Sequence, residues 1–326
     1  MIHKKNTLSS AELAILWKVY MIENLLIPYK IPMINTCQDE EVKSVLLFAL
    51  ELSKKCVHQI ENVYRQENHI LPIGFRKEDM NSEAPALFTD NFYLLYIHEM
   101  AKLGFRIGSQ VIEITDRNDI LDIFYNMLND YKDLYRRTLN LLISKDLYPH
   151  SPKLPIPQKA DFINEQSYLT GWFGKKRPLN AEEIVRVHST ADRNAISQAL
   201  LLGFSKVVKD EEIKKYIERG IKNTNQIIDD MHQILINENL NMTKIYDNEV
   251  SDSTVSPYSD RLILFHVAQM GAGSIGIYGS DLGSVLRKDI GMKYVKMMGE
   301  ALLYGEDGIN LLIKKGWIEE PPKNER

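Results

Sequence analysis

An all-α fold, one helical bundle written twice in tandem, is what the sequence predicts, and three observations predict it. Asp39-Glu40-Glu41-Val42-Lys43 recurs as Asp210-Glu211-Glu212-Ile213-Lys214, 171 residues further on. Leu8, Glu12 and Glu67-Asn68 recur at the same shift as Leu179, Glu183 and Glu238-Asn239, and Arg117, Asp119 and Ile120 recur 170 residues on as Arg287, Asp289 and Ile290. A spacing held through successive elements marks an internal repeat. Apolar residues fall at helical three-and-four spacing, and strand-like alternation is scarce.

Each half reads as four helices. The first covers 9–29 and 180–205, opened by Ser9 with Glu12 and by Asn180 with Glu183, the side chains a capping box needs. The second covers 39–68 and 210–239, its buried stripe running through Leu46, Ala49, Ser53, Val57, Ile60 and Tyr64. The third covers 89–113 and 259–285. The fourth covers 117–146 and 287–315, with Ile120, Phe124, Met127, Tyr131, Leu134 and Thr138 facing inward. Short links join helices one to two and three to four. About 20 residues join helix two to helix three, His69 to Leu87 and Leu240 to Pro257, enough to cross the whole bundle. That crossover separates ferritin-like bundles from up-and-down ones, so the expected architecture is a tandem duplication of ferritin-like four-helix bundles. The expected domains are 1–150 and 179–326. The linker 151–178 between them carries prolines, Trp172-Phe173-Gly174 and the basic Lys175-Lys176-Arg177.

Composition sets bounds on function. A net charge of −4 gives no electrostatic reason for a nucleic-acid partner. Cys37 and Cys56 have neither zinc-ligand spacing nor a disulfide framework and suit a reducing interior. The N-terminus is polar, and no apolar run reads as a signal core or a membrane span. A cytoplasmic location is therefore expected.

The strings Arg177-Pro178-Leu179-Asn180-Ala181-Glu182-Glu183-Ile184, Gly203-Phe204-Ser205-Lys206-Val207-Val208-Lys209-Asp210, Tyr258-Ser259-Asp260-Arg261-Leu262, Tyr304-Gly305-Glu306-Asp307-Gly308 and Lys315-Gly316-Trp317-Ile318-Glu319-Glu320-Pro321-Pro322 resemble an uncharacterised family of bacilli. That family is similar to spore coat protein F and has a ferritin-like bundle, often duplicated. The resemblance implies a non-enzymatic structural or interaction protein of a spore-forming bacterium, with spore association and protein partners or self-association as further expectations. It implies no site residue.

The residues themselves offer one candidate chemistry. A di-iron carboxylate site uses Glu-x-x-His pairs on two helices, and the chain has only the reversed His58-x-x-Glu61 and Asp229-x-x-His232, with His58 turned to solvent. In the second half, however, His188 and His266 fall on buried stripes where the first half has Trp17 and Tyr96. Imidazoles beside small Ala191, Ala195 and Ala199 bring metal-capable nitrogen inside. The expected set is His188 and His266 with Glu300 and His232 at the edge, the alternative function being a metal- or small-ligand-binding bundle, even an oxidase. A crossover topology sets His188 and His266 at different heights. Gly271-x-Gly273-x-x-Gly276 matches the dinucleotide pattern, but its counterpart in the first half continues a helix, so the glycines read as close helix packing.

Overall fold

The computed structural model describes residues 7–171 and 176–324. The polar N-terminal residues 1–6, the linker residues Trp172, Phe173, Gly174 and Lys175, and the last two residues lie outside the described residues. Eight α-helices follow in order: α1 Ser10–Thr36, α2 Glu40–Gln66, α3 Asp90–Ile112, α4 Asn118–Ser144, α5 Ala181–Val207, α6 Glu211–Asn237, α7 Asp260–Ser284 and α8 Lys288–Lys314. Among the described residues there are no β-strands, only isolated bridges such as Met80 to Tyr258, so the fold is all-α and repeated, as the sequence predicts.

Local chemistry sets the helix ends. Ser9 and Asn180 form the two expected capping boxes with Glu12 and Glu183, and Asp39 and Asp210 each accept from two backbone amides at the starts of α2 and α6. Beyond the ends of α2, α4, α6 and α8, Asn68, Asp146, Asn239 and Gly316 take left-handed backbone (φ 53 to 67°). That conformation ends a helix at low cost only in Gly and short polar residues. One boundary differs from the sequence expectation. Helix α1 does not stop at residue 29 but, with Pro28 and Pro32 inside it, runs on to Thr36. An interior proline costs about 3 kcal/mol, and the burial of Leu25, Leu26, Tyr29 and Met33 on that turn outweighs it.

The chain divides into two compact units. The first comprises Met1–Tyr148 with Ser251–Leu262 and Trp317–Arg326; the second comprises Pro149–Val250 with Ile263–Gly316. In the first, Tyr258 stacks on Tyr29 with ring centroids 4.5 Å apart and donates to the Tyr29 carbonyl at 3.0 Å, while Glu319 accepts from the amides of Ile73 and Gly74 at 2.7 Å. Residues distant in sequence thus complete this unit's core.

Within each unit the contacts give the helix directions. Thr36 at the end of α1 meets Tyr93 at the start of α3 at 3.0 Å, and Arg117 at the start of α4 pairs with Glu67 after the end of α2 at 2.9 Å. In the second unit Phe204 near the end of α5 meets His266 near the start of α7, and Arg287 pairs with Glu238 at 2.8 Å. Lys145–Asp39 and Lys315–Asp210, both 2.5 Å, close the other end of each. The four helices therefore run up, down, down, up. The α2–α3 and α6–α7 connections each cross the length of their bundle.

Candidate functional site

The second unit's interior was the expected location of a site, and its residues lie as follows. His188 is buried on α5, its pKa lowered by burial and then by the neighbouring His232. His232 on α6 is half-buried, with Nε2 2.8 Å from Thr243 Oγ1, and burial lowers its pKa too. His266 packs edge-on against Phe204 with centroids 5.9 Å apart, and burial alone pulls it down to about 4. Phe204 lies sixteen residues beyond His188 on α5, about 24 Å of helix at 1.5 Å per residue. The structure thus brings His188 and His232 near each other and leaves His266 at the far end. Glu300 sits on α8, 3.6 Å from Lys296. No group of three His, Cys, Asp or Glu side chains among the described residues converges as a metal set.

Of the three glycines in the dinucleotide-like pattern, only Gly271 serves close packing: a Cβ there would stand 3.3 Å from Tyr304 and 3.5 Å from Gly305. Gly273 and Gly276 are exposed with open space around them. The packing expectation fails for those two because α7 turns that face to solvent.

Midway along the second unit, all four helices line a cavity of about 70 Å³. Its apolar wall includes Leu201, Ile227, Val267 and Met297, and its polar end is Asn194, Thr224 and Ser274, with Glu300 at the lining too. Tyr278 donates to Asn194 Oδ1 at 3.2 Å, and Asn194 Nδ2 donates to the Thr190 carbonyl at 2.8 Å. The polar end is thereby fixed in orientation, while most of the wall offers only dispersion contacts.

In the first unit the same place is full, and sequence reasoning passed over its residues. Glu23 and Lys30, seven residues apart on one face of α1, are both buried. Lys30 Nζ donates to the Ala49 carbonyl at 2.9 Å and to Ser53 Oγ at 2.6 Å; Ser53 Oγ donates to Glu23 Oε2 at 2.5 Å, and the Tyr131 hydroxyl donates to Glu23 Oε1. Burial pulls Lys30 down to about 8 against the opposing attraction of Glu23, and burial with the nearby Glu23 raises the Cys56 thiol well above its ordinary value. Ser53 thus bridges the ammonium and the carboxylate, whose opposite charges compensate each other without direct contact. At the repeat's spacing, Glu23, Lys30, Ser53 and Tyr131 correspond to Asn194, Leu201, Thr224 and Ala301, and Gly104 and Gly108 correspond to Ser274 and Tyr278. Tyr131 lies on Gly104, where a Cβ would come within 2.3 Å of its ring. With Ala at 301 that ring is missing from the second unit. Charged residues inside an otherwise apolar helix, changed to Asn and Leu in the other copy, were the available signal.

The family's sequence profile matches residues 1–159 and again residues 167–326, so the repeat seen in the helices is two copies of one family unit. The chain belongs to the DUF3231 family. The family is described as proteins of unknown function. Among solved structures, a candidate spore coat protein of Bacillus halodurans C-125 is similar, with 15% identity, a TM-score of 0.42, and coverage of 46% of this chain and 98% of its own. No curated protein matches the sequence.

The two DUF3231 copies also differ on their outer surface. On α8, Met292, Val295, Leu302 and Leu303 are 46 to 64% exposed, with Gly299 open among them. Their counterparts on α4 are Asp122, Tyr125, Lys132, Asp133 and Asn129. Beside them on α7, the exposed Ala272, Gly273 and Gly276 stand where α3 has Lys102, Leu103 and Arg106. Helix α7 is also the one described helix long and apolar enough to cross a membrane, with 44% of that stretch buried. Length and composition alone say this of it, and the core helix of a bundle passes the same test.

Proposed function

We propose that this chain is a non-enzymatic structural or interaction protein of a spore-forming bacterium, built from two ferritin-like bundles and acting through its surface. The observation that carries this reading is the α7–α8 face, where exposed Met292, Val295, Leu302 and Leu303 replace the charged and polar residues of the first copy. Grouped exposed apolar side chains of this kind mark interaction sites. The up-down-down-up helix order supports the ferritin-like assignment, and the sequence resemblance to spore coat protein F supports the spore. The test is fractionation of a tagged chain in a sporulating host. It is expected with the spore layers and lost from them on Leu303→Glu. Full recovery from the growing-cell cytoplasm, unchanged by Leu303→Glu, would overturn the reading.

A second reading rests on the 70 Å³ cavity: the second bundle holds a small ligand, mostly apolar with one hydrogen-bonding group for the Asn194–Thr224 end. Binding of 1-butanol, followed by chemical-shift changes, is expected in the native chain and abolished in Ala301→Leu, which fills the space without needing the glycine on which the Tyr131 ring lies. For the candidate metal residues, a transition metal bound to protein purified without chelator and lost in both His188→Ala and His232→Ala would place a metal there instead.

A further inference from the structure

We infer that the α7–α8 face pairs with the same face of a second copy of this chain, in an antiparallel crossing of the two α8 helices about a twofold axis at residue 301. The inference rests on the contact reading above and names its partner.

Three features of the face point to a copy of itself. The first is relief. Leu303 projects at 64% exposure, and four residues earlier Gly299 leaves a hollow with no atom within 4 Å of a would-be Cβ. Residues 299 and 303 are equidistant from 301, so a twofold crossing there seats Leu303 of each copy over Gly299 of the other. Self-complementarity of this kind is what an isologous interface requires, and glycine hollows let helix backbones approach closely, as in other helix pairs.

The second feature is charge. Lys296 stands at the edge of the apolar stripe and Glu306 continues it one turn beyond Leu302, and they too are equidistant from 301. The crossing that seats Leu303 therefore sets Lys296 of one copy opposite Glu306 of the other, twice. Within the chain, Lys296 has Glu300 at 3.6 Å, with the two side chains 59% and 41% exposed, a loose pair free to exchange partners. A parallel crossing would oppose Lys296 to Lys296.

The third feature is extent. Leu286, Met292, Val295, Leu302, Leu303 and Ile313 are each about half exposed, together on the order of 500 Å² of apolar side-chain surface. A homodimer half-interface of about 800 Å² that is about 65% apolar needs that much. The corresponding face of the first copy keeps only Tyr125 and Ile143 as exposed apolar positions, among Asp122, Lys132, Asp133 and Arg136.

Sedimentation velocity of the full chain across a concentration series tests the pairing. The native chain is expected as a dimer. Leu303→Glu should weaken it about a hundredfold or more by burying an unpaired charge opposite Gly299. Lys296→Glu should weaken it about tenfold by opposing Glu306. The double swap Lys296→Glu with Glu306→Lys should restore the native affinity, a result that loss of fold cannot imitate. All three positions are exposed, so helical circular dichroism and melting temperature should stay unchanged. A native chain that stays monomeric at every concentration overturns the inference, as does a dimer insensitive to Leu303→Glu. Should a monomer instead float with phosphatidylcholine–phosphatidylglycerol vesicles and lose that on Leu303→Glu, the partner is a membrane. The second copy is then overturned while the contact reading stands. A monomer that neither floats nor depends on Leu303 for spore retention overturns both.

Discussion

At the middle of the first bundle a lysine, a carboxylate, a serine and a tyrosine fill the space between four helices; at the middle of the second, Leu201, Asn194, Thr224 and Ala301 stand in their places around a cavity. The backbone is the same, with the same caps, the same closing pairs and the same crossover. Specificity is thus obtained in two ways. The first copy uses a buried lysine and carboxylate bridged by Ser53, an arrangement that tolerates only one register, since any slip leaves a buried charge uncompensated. The second uses uncharged packing and sacrifices density, since a missing ring leaves a void that its neighbours do not close. The outer surfaces diverge in the opposite sense, charged on the first copy and apolar on the second. Duplication thus left one copy free to change both its core and its exterior without loss of the shared fold.

The contrast can be broken most severely at Glu23. Glu23→Ala leaves Lys30 buried without its carboxylate and should cost about 3–5 kcal/mol. The counterpart Asn194→Ala removes only neutral hydrogen bonds and should cost about 1–2 kcal/mol. Urea unfolding followed separately for each unit would show it, and equal losses would mean that the compensation of Lys30 by Glu23 is not what holds the first core.

Acid should act on both units. Burial holds His98 in the first and His266 in the second down to about 4, against about 6.5 when unfolded. The unfolded chain therefore binds protons first as pH falls. The stability present above pH 6.5 is lost progressively toward pH 4, on the order of 2–3 kcal/mol for each histidine. A melting temperature flat across that window would show that these imidazoles are hydrated. Lys30 runs the other way along the scale. Its folded pKa of about 8 lies below the unfolded value, so the penalty for its charge is present below pH 8 and relieved as pH rises toward 10.5. Lys30→Met should remove that alkaline gain.

Smaller effects separate the glycines. Gly104→Ala forces a methyl into the Tyr131 ring and should cost about 1–3 kcal/mol. Gly273→Ala, in open space on an exposed helix, should stabilise α7 by about 0.5–1 kcal/mol. Thermal melts of the two variants in opposite directions would confirm that one glycine serves the core and the other the surface.

Much of this was legible from residues alone, and the reasons are local. Capping boxes at Ser9 and Asn180, Asp caps at 39 and 210, and apolar periodicity depend on neighbours within a few positions, so the helices and their repeat follow directly from sequence. The end expected at residue 29 failed because buried packing of α1, which is not local, outweighs its two interior prolines. Candidate residues fared less well. His188, His266, Glu300 and His232 share inward or edge positions on helical wheels, but a wheel carries no height, and the crossover that reverses α7 separates His266 from His188 by most of a helix. Glu23 and Lys30 escaped notice because a buried charge network is recognised only when its bridging partners, Ser53 and Tyr131 on other helices, are in place. The sequence by itself determined eight helices, their caps and their duplication, since those depend on short-range backbone and side-chain chemistry. Only the tertiary structure decided which polar groups meet, where a ring is missing, and which apolar face stays uncovered, because each depends on residues brought together from across the chain.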